Sequence, residues 1–426
     1  MALMLGAAAT PARAQPATET SPAASSTAGA DVVIRRDVTV RAAPDRTSAA
    51  LAFPAIGTRL DLLDDGARQH SYYHVRLPDG REGWVYRSFV QRVAGQPDSA
   101  AFTGLGGDRL AVHYIDVEQG NSALLEFPCG AILIDAGGRG EAAGRHLIEY
   151  LDAFFARRPD LHKRLAAVFV THTHSDHNSN LRRVAERYGI GGYVHNGVMT
   201  GSGRVAAGWM AAHAAAASPV IPAVAVADVG TSPVTGPVID PLACPRVDPK
   251  IEVLSGGLTV NPGWTADAFK NGNNHSLVIR VDYGNASFLF PGDLENEGIA
   301  RLVGRLENPA DLDVDVLEVN HHGAANGTTA AWLAALTPEM AVISMGPSTI
   351  HEAWTGWAYG HPRRVSVALL EQSVSMRRAP LTRLVGDGVK SFSPMTIDRA
   401  IYATGWEGDV VITAAPDGTM QVVTAH

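Results

Sequence analysis

Cysteine is scarce: Cys129 and Cys244 are the only two in a chain of 426 residues. They form no C-x-x-C unit, which argues against a cysteine-rich metal site. In an exported protein two thiols can make one disulfide, but spacing alone does not show that they meet. Positive charge is also short. The formal net charge is −8, so no overall basic field draws the chain to nucleic acid, although a local basic channel stays open. Long apolar runs are lacking, so no stretch is fit to span a bilayer. What is there is an apolar fraction of 46%, ordinary for a chain that buries a sizeable core and long enough for two domains or more.

Met1 to Gln15 is small and apolar, with Ala12-Arg13-Ala14 before Gln15. This reads as an h-region and an A-x-A cleavage site, without the usual positive n-region. Pro16 to Ala30 is rich in Ala, Ser, Thr and Pro and reads as a linker. Residues 1–30 are therefore expected to be a signal-like segment and linker, and the protein to be periplasmic or secreted.

The apolar run Leu165 to Val170 reads as a buried strand. Thr171-His172-Thr173-His174-Ser175-Asp176-His177 follows, on the loop at the strand's C-terminal end. Three imidazoles and a carboxylate are poor packing material and good ligands for zinc, manganese or iron. His172 and His174 can reach one cation; Asp176 and His177, further round the turn, can reach a second. Two cations roughly 3.5–4 Å apart polarise an ester oxygen and activate water. A solvated loop with chance histidines is the bland alternative, and strand, spacing and ligand types together argue against it.

H-x-H-x-D-H after an apolar strand resembles the signature of the metallo-β-lactamase fold. The resemblance implies an α/β fold, an αββα sandwich at 110–425, holding two divalent metal ions, zinc or manganese. Further stretches are similar to the competence (DNA-uptake) branch: Asp116-Val117-Glu118-Gln119-Gly120-Asn121-Ser122, where Glu118 stands for a glycine; Asn273-Asn274-His275-Ser276; Pro291-Gly292-Asp293-Leu294-Glu295; Asn320-His321-His322-Gly323; and Tyr359-Gly360-His361-Pro362. By this resemblance Asp293 bridges the metals, His321 ligates, His322 ligates or acts as acid, and His361 is the last metal-site histidine. Asp176, His322 and His361 would then carry the catalysis. Asp135 would lie beneath the metals and orient a ligand. Asn274, His275, Ser276 and Glu295 would support the site or touch substrate, with helix capping the alternative for Glu295. Asn178-Ser179-Asn180 replaces two glycines of the family and is expected to contact substrate. Residues 197–269 are expected to be an insertion, a helix at 205–217 followed by an irregular lid.

Between 31 and 93, five short strands separated by turns suggest a small all-β barrel. The order V-R-A-A-P, G-T and D-G-x-x-G-W-V resembles the bacterial SH3-like domain, which implies binding to peptidoglycan. Tyr72, Tyr73, Trp84 and Tyr86 would line a groove, or would simply be core and rim. Residues 94–109 read as a linker.

Together these readings point to a secreted metal-dependent hydrolase, a phosphodiesterase acting on nucleic acid or an envelope polymer. Two other readings stay open. A carbonyl hydrolase of the β-lactamase or lactonase type is one, against which the Asn-Asn and His-His-Gly elements speak. The other is a cell-wall-binding protein whose metal site is only structural.

Overall fold

Strands with no exposed face dominate the larger part of the chain. Leu110–Tyr114, Ala123–Phe127, Gly130–Ile134 and Ala167–Val170 are buried at every position. Such strands need cover on both sides of their sheet. The computed structural model describes residues 31–34, 37–64, 68–70, 72–93, 107–306 and 312–425. The signal-like segment and linker at 1–30, and the second linker as far as 106, lie outside the described residues.

Two sheets make the frame. The first runs in the order Ala223–Ala225, Tyr193–His195, Ala167–Val170, Gly130–Ile134, Ala123–Phe127, Leu110–Tyr114, Val410–Ala414, Met420–Thr424. The second runs Lys250–Ser255, Val278–Tyr283, Ala286–Phe290, Val316–Glu318, Met340–Ile343, Ile401–Ala403. Strand alternation divides the cover. Leu125, Phe127, Phe288 and Phe290 share one core between the sheets. Leu124, Leu133, Val168 and Val170 turn the other way, against Leu147, Leu151, Phe154 and Leu181 of the helices Gly140–Arg157 and Leu181–Arg187. Helices Asn296–Gly304, Ala330–Leu336 and Arg364–Ser373 add Ile299, Trp332 and Leu370 to the first-named core. The result is four layers, helix–sheet–sheet–helix.

The stretch 197–269 differs from its expectation as one insertion with a free lid. It carries the helix Arg204–Ala216, but also an edge strand of each sheet, Ala223–Ala225 and Lys250–Ser255. Ala223–Ala225 is too short to show a period, whereas Lys250–Ser255 alternates polar and apolar residues over its first four positions. The irregular part between them is tied down by a disulfide from Cys244 to Cys129, in the hairpin turn after Phe127.

The N-terminal unit is an antiparallel all-β sheet of eight short strands rather than five, since two-residue pairings such as Val40–Arg41 and Arg68–Gln69 leave no pattern. Val32, Ile34, Val40, Leu60, Val75 and Val85 form its core. It is docked, not merely tethered. Arg87 is buried and pairs with both Asp313 and Asp315 of the larger unit. The Tyr73 hydroxyl donates to Glu339 Oε1 at 3.3 Å. Of the four aromatics considered for a groove, Tyr72 and Tyr73 are buried, and Trp84 is half-buried and stacked on His74 with centroids 4.6 Å apart. Tyr86 is half-buried and meets Tyr72 edge-on at 5.0 Å.

Candidate metal centre and active site

Five strand ends converge on one cleft. Asp135 follows Gly130–Ile134, the histidine-rich loop follows Ala167–Val170, and Asp293 follows Ala286–Phe290. His321 and His322 follow Val316–Glu318, and the loop to His361 follows Met340–Ile343. Crevices outside the carboxyl ends of parallel strands are where open α/β sheets bind ligands. Glycine lets the loops meet. A Cβ on Gly137 would run into the carbonyl oxygen of Asp176, and one on Gly292 (φ +54°) would press on Thr171. Glu118, which stands for a glycine, keeps the left-handed backbone a glycine would adopt, φ +60°.

The loops bring together two groups of ligand atoms that share Asp293: Asp176, His177, His322 and Asp293, and His172, His174 and Asp293. Within each group the atoms lie within 4.8 Å of one another. His172 Nε2 and His174 Nδ1 are 3.0 Å apart. Asp293 Oδ2 is 3.8 Å from His172 Nε2, while its Oδ1 is 3.1 Å from His177 Nε2 and 3.6 Å from His322 Nε2. Asp176 Oδ2 is 3.5 Å from His322 Nε2.

The donor set fits two cations. The Nε2 atoms of His177 and His322 are buried without an aligned hydrogen-bond partner among the described residues. Their other nitrogens are held: His177 Nδ1 by Asp135 Oδ2 at 2.7 Å, His322 Nδ1 by the Ser344 carbonyl at 2.6 Å. This is the arrangement that presents a lone pair to a metal. Burial pushes His172 well below its ordinary pKa and keeps it neutral, the form that ligates. Against the penalty of burial, His177, His322 and His321 hold Asp293 well below the usual carboxylate range.

Asp135 sits under the site. It accepts from the Thr171 N–H at 2.7 Å, the Thr171 hydroxyl at 2.8 Å and Asn121 Nδ2 at 3.1 Å. Asn121 Nδ2 also reaches Glu318 Oε2 at 3.1 Å. Burial, with the Asp135 charge nearby, pushes the Glu318 carboxyl up to about 8.

Several expected roles change. His322 joins a ligand group, one of its two expected roles, whereas His321 stands outside both groups, with Nδ1 facing Asn326 Oδ1 at 3.1 Å and Glu295 Oε1 at 3.3 Å and Nε2 3.8 Å from Asp293 Oδ2. Both have left-handed backbones, φ +49° and +54°, which turn neighbouring imidazoles to different tasks. His361 stands outside both groups, on the cleft wall, where Gln119 Nε2 donates to its Nδ1 at 3.3 Å. His275 is not near the metals: its Nε2 meets the Phe269 carbonyl at 2.7 Å and its Nδ1 accepts from Leu258 N–H at 3.0 Å. Asn274 accepts from Gly298 N–H at 3.2 Å and so serves the helix Asn296–Gly304. Ser276 is buried away from the cleft lining, its hydroxyl unpartnered among the described residues. Asn273, one residue earlier, is the one in the cleft, donating to Glu295 Oε1 at 2.6 Å. Glu295 makes no side-chain capping bond. Asn178, Ser179 and Asn180 contact backbone rather than the cleft: Asn178 donates to the Gly203 carbonyl, Ser179 to Gly138, and Asn180 to Gly137 and Gly138.

The cleft holds about 300 Å³ and is also lined by Arg139, Ser202, Trp354 and Tyr359. Neither Trp354 nor Arg139 belongs to a motif, and Tyr359 enters the sequence reading only as part of Tyr359-Gly360-His361-Pro362.

A family model described as the metallo-beta-lactamase superfamily matches residues 115–346. ComE operon protein 3 of Bacillus subtilis (strain 168) is 33% identical over 100 residues, 24% of this chain and 12% of that protein. Recombination protein 2 of Haemophilus influenzae is 39% identical over 92 residues, 21% of this chain and 10% of that protein. The chain thus spans about a tenth of the length of these curated relatives. Among solved structures, the metallo-beta-lactamase fold protein YhfI from Bacillus subtilis is 14% identical, with a TM-score of 0.29, covering 50% of this chain and 70% of that one.

Proposed function

The chain belongs to the metallo-beta-lactamase superfamily, and from that premise we propose that it is a secreted phosphodiesterase with a dinuclear metal site. The observation that carries the reading is the pair of ligand groups meeting at Asp293. Two divalent cations, zinc or manganese, would supply Lewis-acid polarisation of the ester and an activated water when bound. His172 and His174 would hold one, and Asp176, His177 and His322 the other, with Asp293 shared. Asp135 keeps His177 in the tautomer and orientation that ligate.

His321 takes the proton-donor role. Glu295 Oε1 and Asn326 Oδ1 lie beside its Nδ1, and its Nε2, 3.8 Å from Asp293 Oδ2 and 3.5 Å from Asn273 Nδ2 on the cleft lining, would as part of an imidazolium protonate the leaving oxygen. Similarity to a protein named for recombination supports nucleic acid over an envelope polymer as the phosphodiester. The Cys129–Cys244 disulfide supports export, because such bonds persist in oxidising compartments. We further propose that the N-terminal unit is SH3-like.

Hydrolysis of bis(p-nitrophenyl) phosphate with added zinc or manganese is the test, read beside metal content. His322→Ala is expected to lose one ion per chain. His321→Ala should keep both ions and slow turnover by about 10²–10⁴-fold. No turnover with any metal, or unchanged turnover after His174→Ala, refutes the reading; turnover of nitrocefin in its place would favour carbonyl hydrolysis.

A further inference from the structure

One side of the cleft mouth is built from groups that the metal chemistry does not use. Arg139 ends the loop before the helix Gly140–Arg157 and is exposed, with no carboxylate partner among the described residues. Its guanidinium carbon lies 4.4 Å from the Trp354 ring centroid. Trp354 is 57% exposed and has φ +67°. A non-glycine residue in that region is strained, and strain at an exposed residue gains no burial in return. Tyr359 stacks on His361 with centroids 5.6 Å apart and lies 6.3 Å from Trp354. A guanidinium with no carboxylate partner among the described residues, lying over one face of Trp354, and two aromatic rings that each keep exposed surface thus border the carboxylate of Asp176 in one cleft.

We infer that Arg139, Trp354 and Tyr359 form a recognition lip that stacks a nucleobase beside the scissile phosphodiester, with Arg139 on a neighbouring phosphate. This rests on the phosphodiesterase reading and gives it a substrate class. Aromatic faces hold bases of any sequence, and a guanidinium suits phosphate oxygens. A polymer of sugar alcohols and phosphate offers the guanidinium a partner and the rings none.

Binding is measured first, with metal-free protein and a fluorescein-labelled oligothymidylate, by anisotropy. Trp354→Ala and Arg139→Ala are each expected to weaken binding by about 10-fold, and Trp354→Phe to restore most of the loss. Both positions are exposed, so these variants should fold. Unchanged affinity in both variants, or equal competition by poly(glycerol phosphate), overturns the lip. The metal-loaded enzyme is then given two esters with one leaving group, thymidine p-nitrophenyl phosphate and methyl p-nitrophenyl phosphate. The kcat/KM ratio of the first to the second should fall about 10-fold in Trp354→Ala. Turnover of both with an unaltered ratio removes the lip and leaves the phosphodiesterase; failure of the wild type on both, with oligothymidylate still bound, removes the phosphodiesterase reading alone.

Discussion

Glu318 shows how much one residue's surroundings decide. Nothing in its sequence neighbourhood marks it out, yet it is fully enclosed beneath the metal centre, accepting from Asn121 and from the Ser344 hydroxyl at 3.2 Å. With its carboxyl raised from the ordinary 4.5 to about 8, it keeps a proton in the fold that the unfolded chain gives up. The sign follows. Below the ordinary value both states are protonated and the group is neutral to stability. As pH rises toward 8 the unfolded state is favoured, by at most about 1.4 kcal/mol per pH unit. Above 8 the effect levels off. Chemical denaturation of metal-free protein across that window should show stability falling with pH, and Glu318→Gln should flatten the fall; parallel curves would place the titration elsewhere. The histidines carry the same lesson. His-His-Gly was legible as a site, but which imidazole ligates depends on backbone angles and on Ser344 and Glu295, residues distant in sequence.

Among elements, the junction of the all-β unit with the larger one is a contact on which the sequence reading was silent. A linker-joined module would swing; this one inserts Arg87 between Asp313 and Asp315, and Asp315 also accepts from the Ser287 N–H at 2.7 Å. Taking away one member of a buried ion pair leaves charge unpaired in low dielectric, which costs about 3–5 kcal/mol. Arg87→Met is therefore expected to lower unfolding free energy by about 3 kcal/mol in urea, with the two units still unfolding together. A loss under about 0.5 kcal/mol, the size of a surface substitution, would mean the clasp is loose in solution. The strand leading into the first histidine motif, by contrast, could be read directly: Ala167–Val170 lies within the apolar run Leu165 to Val170 and is a strand here.

For the whole molecule, the disulfide closes one long covalent loop, Cys129 and Cys244 being 115 positions apart in the sequence. A cross-link over such a loop removes unfolded-state entropy and stabilises by about 2–5 kcal/mol. Replacing both cysteines with serine, or adding reductant, should lower the midpoint of thermal unfolding while leaving metal content at two ions per chain. An unmoved midpoint would show the bond to be absent in the protein as isolated. Pairing could not be read from two lone cysteines, because contact across that separation depends on how the hairpin and the irregular segment pack.

Local pattern by itself determined the address of the site, since apolar strands and the ligand clusters at their ends are short-range features, and the larger unit's fold followed from the family resemblance those motifs carry. Only the tertiary structure decided the placements: His322 within a candidate ligand group and His321 beside Glu295, Asn273 rather than Asn274 in the cleft, His275 spent on backbone, Arg139 brought to the rim. Each of those outcomes turns on hydrogen bonds and angles between segments far apart in the chain, and residue spacing holds no record of them.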